Sequence, residues 1–242
     1  MVKEFNREAK RAEVRAGLYR LLALTLLKPP DREIMDLWAD PELRDELEFL
    51  FSGRCLRELS LGLEAPETSP RAIRLAYDAL FCVPIKGRSV SPYESVYRED
   101  HFVEGKSIKL LMGQSAAAVS EFYKSTGMEP PLAARELPDH IGMELLFLSG
   151  LCAAEAASRK NNDNDAASAW RSLQYRFLHE HLGQWVNPVA EDIRRLAGHD
   201  FIKAVAAMTA ELVNHDLEGL AGRVSDASPN KEEGLEQRPG AN

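Results

Sequence analysis

Asp139 and His140 set a carboxylate beside an imidazole at the head of an apolar stretch, Ile141-Gly142-Met143-Glu144-Leu145-Leu146-Phe147-Leu148, with a second carboxylate, Glu144, one helical turn on. Such a trio could move protons or pair with a cation. The usual companions of turnover are missing: there is no GxxxxGK[ST] phosphate loop, no GxGxxG, no HExxH and no GxSxG. The trio therefore reads as a recognition element and not as an acid–base catalyst. Asp139 also has a structural reading, since a carboxylate in a first helical turn gains about 0.3–1 kcal/mol from the macrodipole and can satisfy free N–H groups. His140 is pulled two ways, its charged form disfavoured by that dipole and favoured by Asp139 and Glu144.

His179 and His181 are two residues apart, and on a helix such side chains point about 200° away from each other, so they cannot share one metal. His181 is expected to pack beside Trp185 and His179 to face solvent. Cys55, Cys82 and Cys152 are odd in number and widely spaced, a pattern of idle thiols in a reducing cytoplasm and not of a disulfide framework or zinc site. No cofactor or metal is expected. Tyr93 and Tyr97 lie in a proline-bearing loop, where amphipathic aromatics serve binding surfaces as well as cores.

The elements that must position these residues read as helices. Apolar spacing places a first helix over 7–27, stopped by Pro29-Pro30, then short helices over 34–38 and 43–51 with Asp31 or Asp40 as caps. Pro66 and Pro70 flank a loop before the next helix, whose stripe is Ile73, Ala76, Tyr77, Leu80 and Phe81. Residues 83–106 carry Pro84, Gly87, Pro92 and Gly105 and read as one long ordered loop. Helical periodicity resumes over 107–126, restarts at Pro138 in a first turn and runs to about Arg159. A further helix carries Trp170, Leu173, Phe177, His181 and Trp185 on one side until Asn187-Pro188, and two more cover 189–197 and 201–220. Fold class is all-α: a single helical domain over 1–220 of about nine or ten helices, followed by a disordered tail, 221–242, rich in Ser, Pro, Glu and Gly.

The charge balance, 30 Lys and Arg against 38 Asp and Glu for a net of −8, argues against nucleic acid as a partner and suits a cationic one. The apolar run Leu21–Leu27 is too short to span a bilayer and lacks the short basic segment that opens a signal peptide, so a cytoplasmic protein with no membrane span is expected.

Four blocks in order carry a family resemblance: Tyr77-Asp78-Ala79-Leu80-Phe81 leading to Pro84; Pro92-Tyr93-Glu94-Ser95-Val96-Tyr97; Glu136-Leu137-Pro138-Asp139-His140 with Glu144-Leu145-Leu146-Phe147-Leu148; and Phe177 to Trp185. Together they resemble the TorD/DmsD/NarJ family of molybdoenzyme maturation chaperones, over nearly all of 1–220. The resemblance implies a non-catalytic helical protein that binds the twin-arginine signal peptide on the catalytic subunit of a molybdopterin-containing oxidoreductase until the cofactor is inserted. It also implies that Leu80, Phe81, Pro84, Pro92, Tyr93, Ser95, Tyr97, Pro138, Asp139 and His140 belong to the peptide-binding region. Cys82-Val83 and Tyr93 depart from what some relatives carry, which bears on peptide selectivity. Two guanidinium groups followed by an apolar segment call for carboxylates beside an apolar groove. On this reading Asp139, with Glu94 or Glu144, meets the arginines, and Leu80, Phe81, Tyr93 and Tyr97 line the groove. Alternatives are an assembly chaperone for a cytoplasm-facing nitrate-reductase-like subunit with a remnant leader, and a nucleotide hydrolase, which the missing phosphate loop opposes. A dimer with exchanged helices would hinge on 128–138.

Overall fold

A computed structural model describes residues 2–48, 50–65, 68–103, 106–128 and 136–225. Among these, α1 (Val2–Leu27), α2 (Arg32–Ala39), α3 (Pro41–Glu48), α4 (Gly53–Glu64) and α5 (Pro70–Tyr77) form the first half. A π-helical turn, Asp78–Cys82, prolongs α5. Then come α6 (Glu94–Arg98), the strands β1 (His101–Val103) and β2 (Lys106–Ile108), α7 (Gln114–Thr126), α8 (Ile141–Lys160), α9 (Asn164–Glu180), α10 (Val186–Leu196) and α11 (Asp200–Ser225). The class is all-α as expected, with eleven α-helices among the described residues.

Side-chain chemistry sets the helix starts. Asp31 accepts the Ile34 N–H at 3.1 Å and Asp40 the Glu42 N–H at 2.9 Å, so both proposed caps act, while Gly127 (φ 66) ends α7 in the left-handed region. α1 lies along α8, the two forming the most extensive helix pair of the bundle. The approach is close enough that a Cβ on Gly142 would collide with the Leu27 side chain, so any larger residue there forces Leu27 to shift. α9 packs on α8, and α4 and α10 on α11. The core between them stacks Phe122, Phe147 and Phe177 with ring centroids 4.8 to 5.9 Å apart. At the end of α1, Trp38 Nε1 donates to Thr25 Oγ1 at 3.0 Å and the Tyr77 hydroxyl to the Leu26 carbonyl at 2.9 Å. These bonds tie α2 and α5 to the central pair. α8 is long and apolar enough to cross a membrane by length and composition, yet most of it is buried within the bundle.

Several expectations are corrected. α4 falls in a stretch to which the sequence reading assigns no element. Its partner is α11, with Gly62 backed against the Phe201 backbone. The long loop contains α6 and an antiparallel hairpin pairing His101 with Ile108, so 107–108 are strand and α7 begins only at Gln114. α9 ends at Glu180, a 3-10 turn (Leu182–Gln184) follows, and Pro188 stands inside the first turn of α10 instead of ending a helix. α11 runs to Ser225, past the boundary read at 220. Residues 226–242 of the expected tail and 129–135 of the expected hinge lie outside the described residues, as does Pro66.

Candidate functional site

The stripe of α5 carries a local device that makes a surface. Inside the π-helical turn the register slips, so Leu80 points inward, 2 % exposed, while Phe81 is half-buried and Cys82, Val83, Pro84 and Ile85 are exposed. The returning chain closes the turn by the Val90 N–H donating to the Leu80 carbonyl at 2.8 Å. Phe81 stacks on Tyr77 at 4.8 Å between centroids.

The segment 92–95 then lies against 139–141. Ile141 N–H donates to the Pro92 carbonyl and Glu94 N–H to the Asp139 carbonyl, both at 2.9 Å, forming a single antiparallel bridge between Tyr93 and His140. Asp139 secures it from its side chain: Oδ2 accepts the Ser95 N–H at 3.0 Å and the Ser95 hydroxyl at 2.6 Å. Asp139 therefore serves the N-terminus of α6 and not that of its own helix. His140, expected in the first turn of a helix with Pro138 and Asp139, is instead the N-cap of α8, its Nδ1 accepting the Gly142 N–H at 3.0 Å. Pro138 sits in the turn before it, its carbonyl taking the Tyr123 hydroxyl at 2.9 Å. Tyr93 stands edge-on to the His140 ring, centroids 5.1 Å apart, and its hydroxyl donates to Glu136 at 3.0 Å.

Beneath this bridge lies a buried polar cluster. Glu94 and Glu144 are both 0 % exposed. Glu94 takes Arg98 of the next turn and lies 3.2 Å from His181 Nδ1; Glu144 accepts from Trp185 Nε1 at 3.3 Å. Burial, followed by the charge of Glu94, lifts Glu144 well above the ordinary carboxyl range, so it is held neutral. Burial alone lowers His140 to about 4. His179 is exposed near the end of α9, and His181, just past that end, is buried against the Phe122 and Phe177 rings. Tyr97 leans on Trp185 at 5.7 Å and donates to Asp192 of α10 at 3.0 Å.

The structure thus brings the named residues together in two layers. Phe81, Pro84, Tyr93, Tyr97 and Pro138 reach the surface, while Leu80, Pro92, Glu94, Ser95, Asp139, His140 and Glu144 are buried beneath them. The three carboxylates proposed to meet arginines all belong to the buried layer. Sequence reasoning missed two that reach the surface: exposed Glu136, bonded to Tyr93, and half-buried Asp78 in the π-helical turn, both close enough to Tyr77 to act on its hydroxyl electrostatically. It also missed the exposed apolar pair Val83 and Ile85, 46 % and 48 % exposed. The signal lay in the quoted blocks, where Asp78 and Glu136 flank the residues that were chosen. Among the described residues no group of three or more His, Cys, Asp or Glu is placed to hold a metal.

The cluster makes a pH prediction. His140, lowered from 6.5 to about 4, contributes stability fully present above pH 6.5 and lost as pH falls toward 4. Glu144, raised from 4.5, contributes in the opposite sense, its stability fully present below pH 4.5 and lost as pH rises through its folded value. Each acts with a slope of about 1.4 kcal/mol per pH unit, so the two oppose one another in the window between. Glu144→Gln removes one of them. Relative to wild type, the variant gains stability steadily as pH rises above 4.5. Urea unfolding of both proteins over about pH 5 to 8 checks this; parallel stability curves would mean that Glu144 is ionised in the fold.

Residues 45–191, more than half of the chain, match the family described as nitrate reductase delta subunit. The chain belongs to this family. The delta-subunit family is the one that the four sequence blocks resemble, and its curated members similar to this chain are chaperones. The chaperone protein TorD of Shewanella pealeana is 25 % identical over 224 residues, 88 % of this chain and 92 % of its own length. The perchlorate reductase assembly chaperone protein of Dechloromonas aromatica is 24 % identical over 210 residues, 85 % and 89 % of the two chains. The selenate reductase assembly chaperone protein of Thauera selenatis is 30 % identical over 149 residues, 62 % of this chain and 70 % of its own. As a delta-subunit family member the protein is a maturation chaperone and not an enzyme.

Proposed function

We propose that the protein is a cytoplasmic, system-specific chaperone that binds the twin-arginine signal peptide of a molybdenum-cofactor oxidoreductase precursor and holds it for cofactor insertion before export. The observation that carries this reading is the apolar surface formed by exposed Val83 and Ile85 with half-buried Phe81 and Tyr93, edged by the carboxylates of Asp78 and Glu136. Such a surface suits a ligand that joins guanidinium groups to an apolar segment. In this reading Phe81, Pro84, Tyr93 and Tyr97 meet the peptide. Leu80, Pro92, Glu94, Ser95, Asp139, His140 and Glu144 hold that surface in shape from below, and Pro138 stands at its edge. The family's reductase-assembly members support a redox-enzyme partner for this chain.

A fluorescent synthetic leader carrying Arg-Arg, compared with its Lys-Lys counterpart, tests the reading by anisotropy. The expected result is preference for Arg-Arg, because guanidinium pairs bidentately with carboxylates. Phe81→Ala is expected to weaken binding by about tenfold or more, the value of burying one aromatic side chain. Equal binding by wild type and Phe81→Ala would remove the apolar surface from the site. Binding blind to the exchange of arginine for lysine would favour a client with only a remnant leader.

A further inference from the structure

Toward the far end of α8 from the Tyr93–His140 bridge, α1, α8, α9 and α11 close on a cavity of about 60 Å³. Glu155 and Arg159, which line it, stand about 16–23 Å along α8 from Glu144 at the helical rise per residue. Guanidinium groups outnumber carboxylates on its walls, since Arg11, Arg15, Arg159 and Arg171 meet only Glu8, Glu155 and Asp216. Three of them crowd onto one acceptor. Arg159 lies 2.8 Å from Glu155, Arg15 3.5 Å and Arg171 3.6 Å. Glu8 is drawn across to Arg159, while Asp216 takes Arg15 at 2.7 Å and His215 at 3.6 Å.

Arg11 is left over. Among the described residues it makes no ion pair, although Glu8 precedes it on α1 by three positions, a spacing at which such a pair can form. One turn on comes Arg15, and like charges at that spacing destabilise the helix that carries them. Contact with Asp216 raises the pKa of His215 against the charges of Arg11 and Arg15, which both act on it. Arginine cannot relieve this crowding by losing its proton. Arg15 and Arg159 are both 7 % exposed, and each spends three nitrogens on protein acceptors, leaving N–H groups of the guanidinium over. Fixed positive charge with donors to spare around a small cavity is the make-up of an oxyanion site. At about 10–15 Å³ for one water, the cavity holds about four waters or one compact oxyanion and has no room for a nucleoside.

We propose that this cavity binds a phosphate- or sulfate-sized oxyanion, with Arg11 as its main partner beside the buried Arg15 and Arg159. The anion supplies the negative charge that the walls lack and links α1 to α8 and α11, so it acts as a stabilising ligand of the bundle. Neither the cavity nor its ligand depends on the chaperone reading.

Titration calorimetry of the full chain with inorganic phosphate, in chloride buffer at constant ionic strength, tests this. Wild type is expected to bind saturably, about one phosphate per chain, and to melt at a higher temperature as phosphate is added. Arg11→Ala is expected to weaken binding about tenfold or more, yet to melt no lower than wild type in chloride alone, which separates loss of the site from loss of the fold. Arg57→Ala, the same charge change on α4, is expected to bind within about twofold of wild type, which separates the cavity from the net charge. Inorganic phosphate and phenyl phosphate distinguish the sources of the group: tighter binding of the first marks a free anion, tighter binding of the second the end of a larger molecule. Heat without saturation, or equal loss in Arg57→Ala, overturns the proposal. A melting temperature that phosphate raises equally in wild type and Arg11→Ala also overturns it, because general exclusion of the salt from the protein surface then accounts for the rise.

Discussion

Arg15→Ala is expected to lower the unfolding free energy by about 3–5 kcal/mol, because it breaks a buried ion network by removing one side only. Arg15 of α1 is 7 % exposed and reaches three helices at once. Its Nε donates to Asp216 Oδ2 of α11 at 2.7 Å, its Nη2 to Gln174 Oε1 of α9 at 2.8 Å, and its Nη1 lies 3.5 Å from Glu155 Oε2 of α8. Glu155 keeps Arg159 and Arg171 after the substitution, at 2.8 and 3.6 Å. Asp216 does not fare so well. Burial pushes its carboxyl upward, and the charge of Arg15, with bonds from His215, Arg15 and Tyr19, outweighs that and holds it below the ordinary range. Without Arg15 the buried carboxylate keeps only Tyr19 and His215 and its pKa rises, so the variant is also expected to be less sensitive to alkaline-to-acid titration at this site. Arg15→Met/Asp216→Leu removes both charges and is expected to recover most of the loss, since apolar replacements of a buried pair are often neutral. Urea unfolding of the three proteins checks this, and a cost below about 1 kcal/mol for the single change would show that the network is not what joins α1 to α11.

The same network shows why part of the fold was legible and part was not. α1, α8 and α11 are long amphipathic or apolar segments whose spacing states their class without reference to any neighbour. Arg15 sits within α1 as one more charged residue, and nothing local tells that Asp216, 201 positions away, will enclose it. α4 has a helical stripe of its own, Cys55, Leu59 and Gly62 behind the Ser52 cap, but why that stripe carries a glycine depends on the backbone of Phe201. α6 has five residues, too few for a period, and its N-terminus is supplied by Asp139 from 44 positions on. The candidate site divides the same way. The residue types named from the sequence blocks do meet around one bridge, but burial is a property of the assembled layers, and it separates Asp139, Glu94 and Glu144 from the surface that Phe81 and Tyr93 reach. A π-helical turn leaves no mark in apolar spacing either, so the exposure of Val83 and Ile85 could not be read.

Asp139→Ala is expected to cost about 3 kcal/mol of stability and to weaken leader binding together, whereas Phe81→Ala weakens binding with little change in stability. The stability cost follows from two bonds to one charged, fully buried acceptor, each worth about 1.5–3 kcal/mol, whose donors on Ser95 are left unpaired. The binding loss follows from position, since the Ser95 bonds set α6 on the start of α8 and so place Tyr93 over His140 and Tyr97 over Trp185. Asp139→Asn separates this from direct contact with arginine. The amide oxygen can still accept from Ser95, so a positioning Asp139 predicts that the asparagine variant keeps most of its stability, its leader affinity and its preference for Arg-Arg over Lys-Lys. A carboxylate that itself meets guanidinium predicts the reverse, with stability kept and that preference lost, because an amide cannot pair bidentately with arginine. Amide exchange at Ser95, measured on the same two variants, reports whether α6 has left its seat. The buried geometry of Asp139, with Oδ2 spent on Ser95 and the residue 0 % exposed, favours the first outcome. The arginines are then left to Glu136 and Asp78 at the rim.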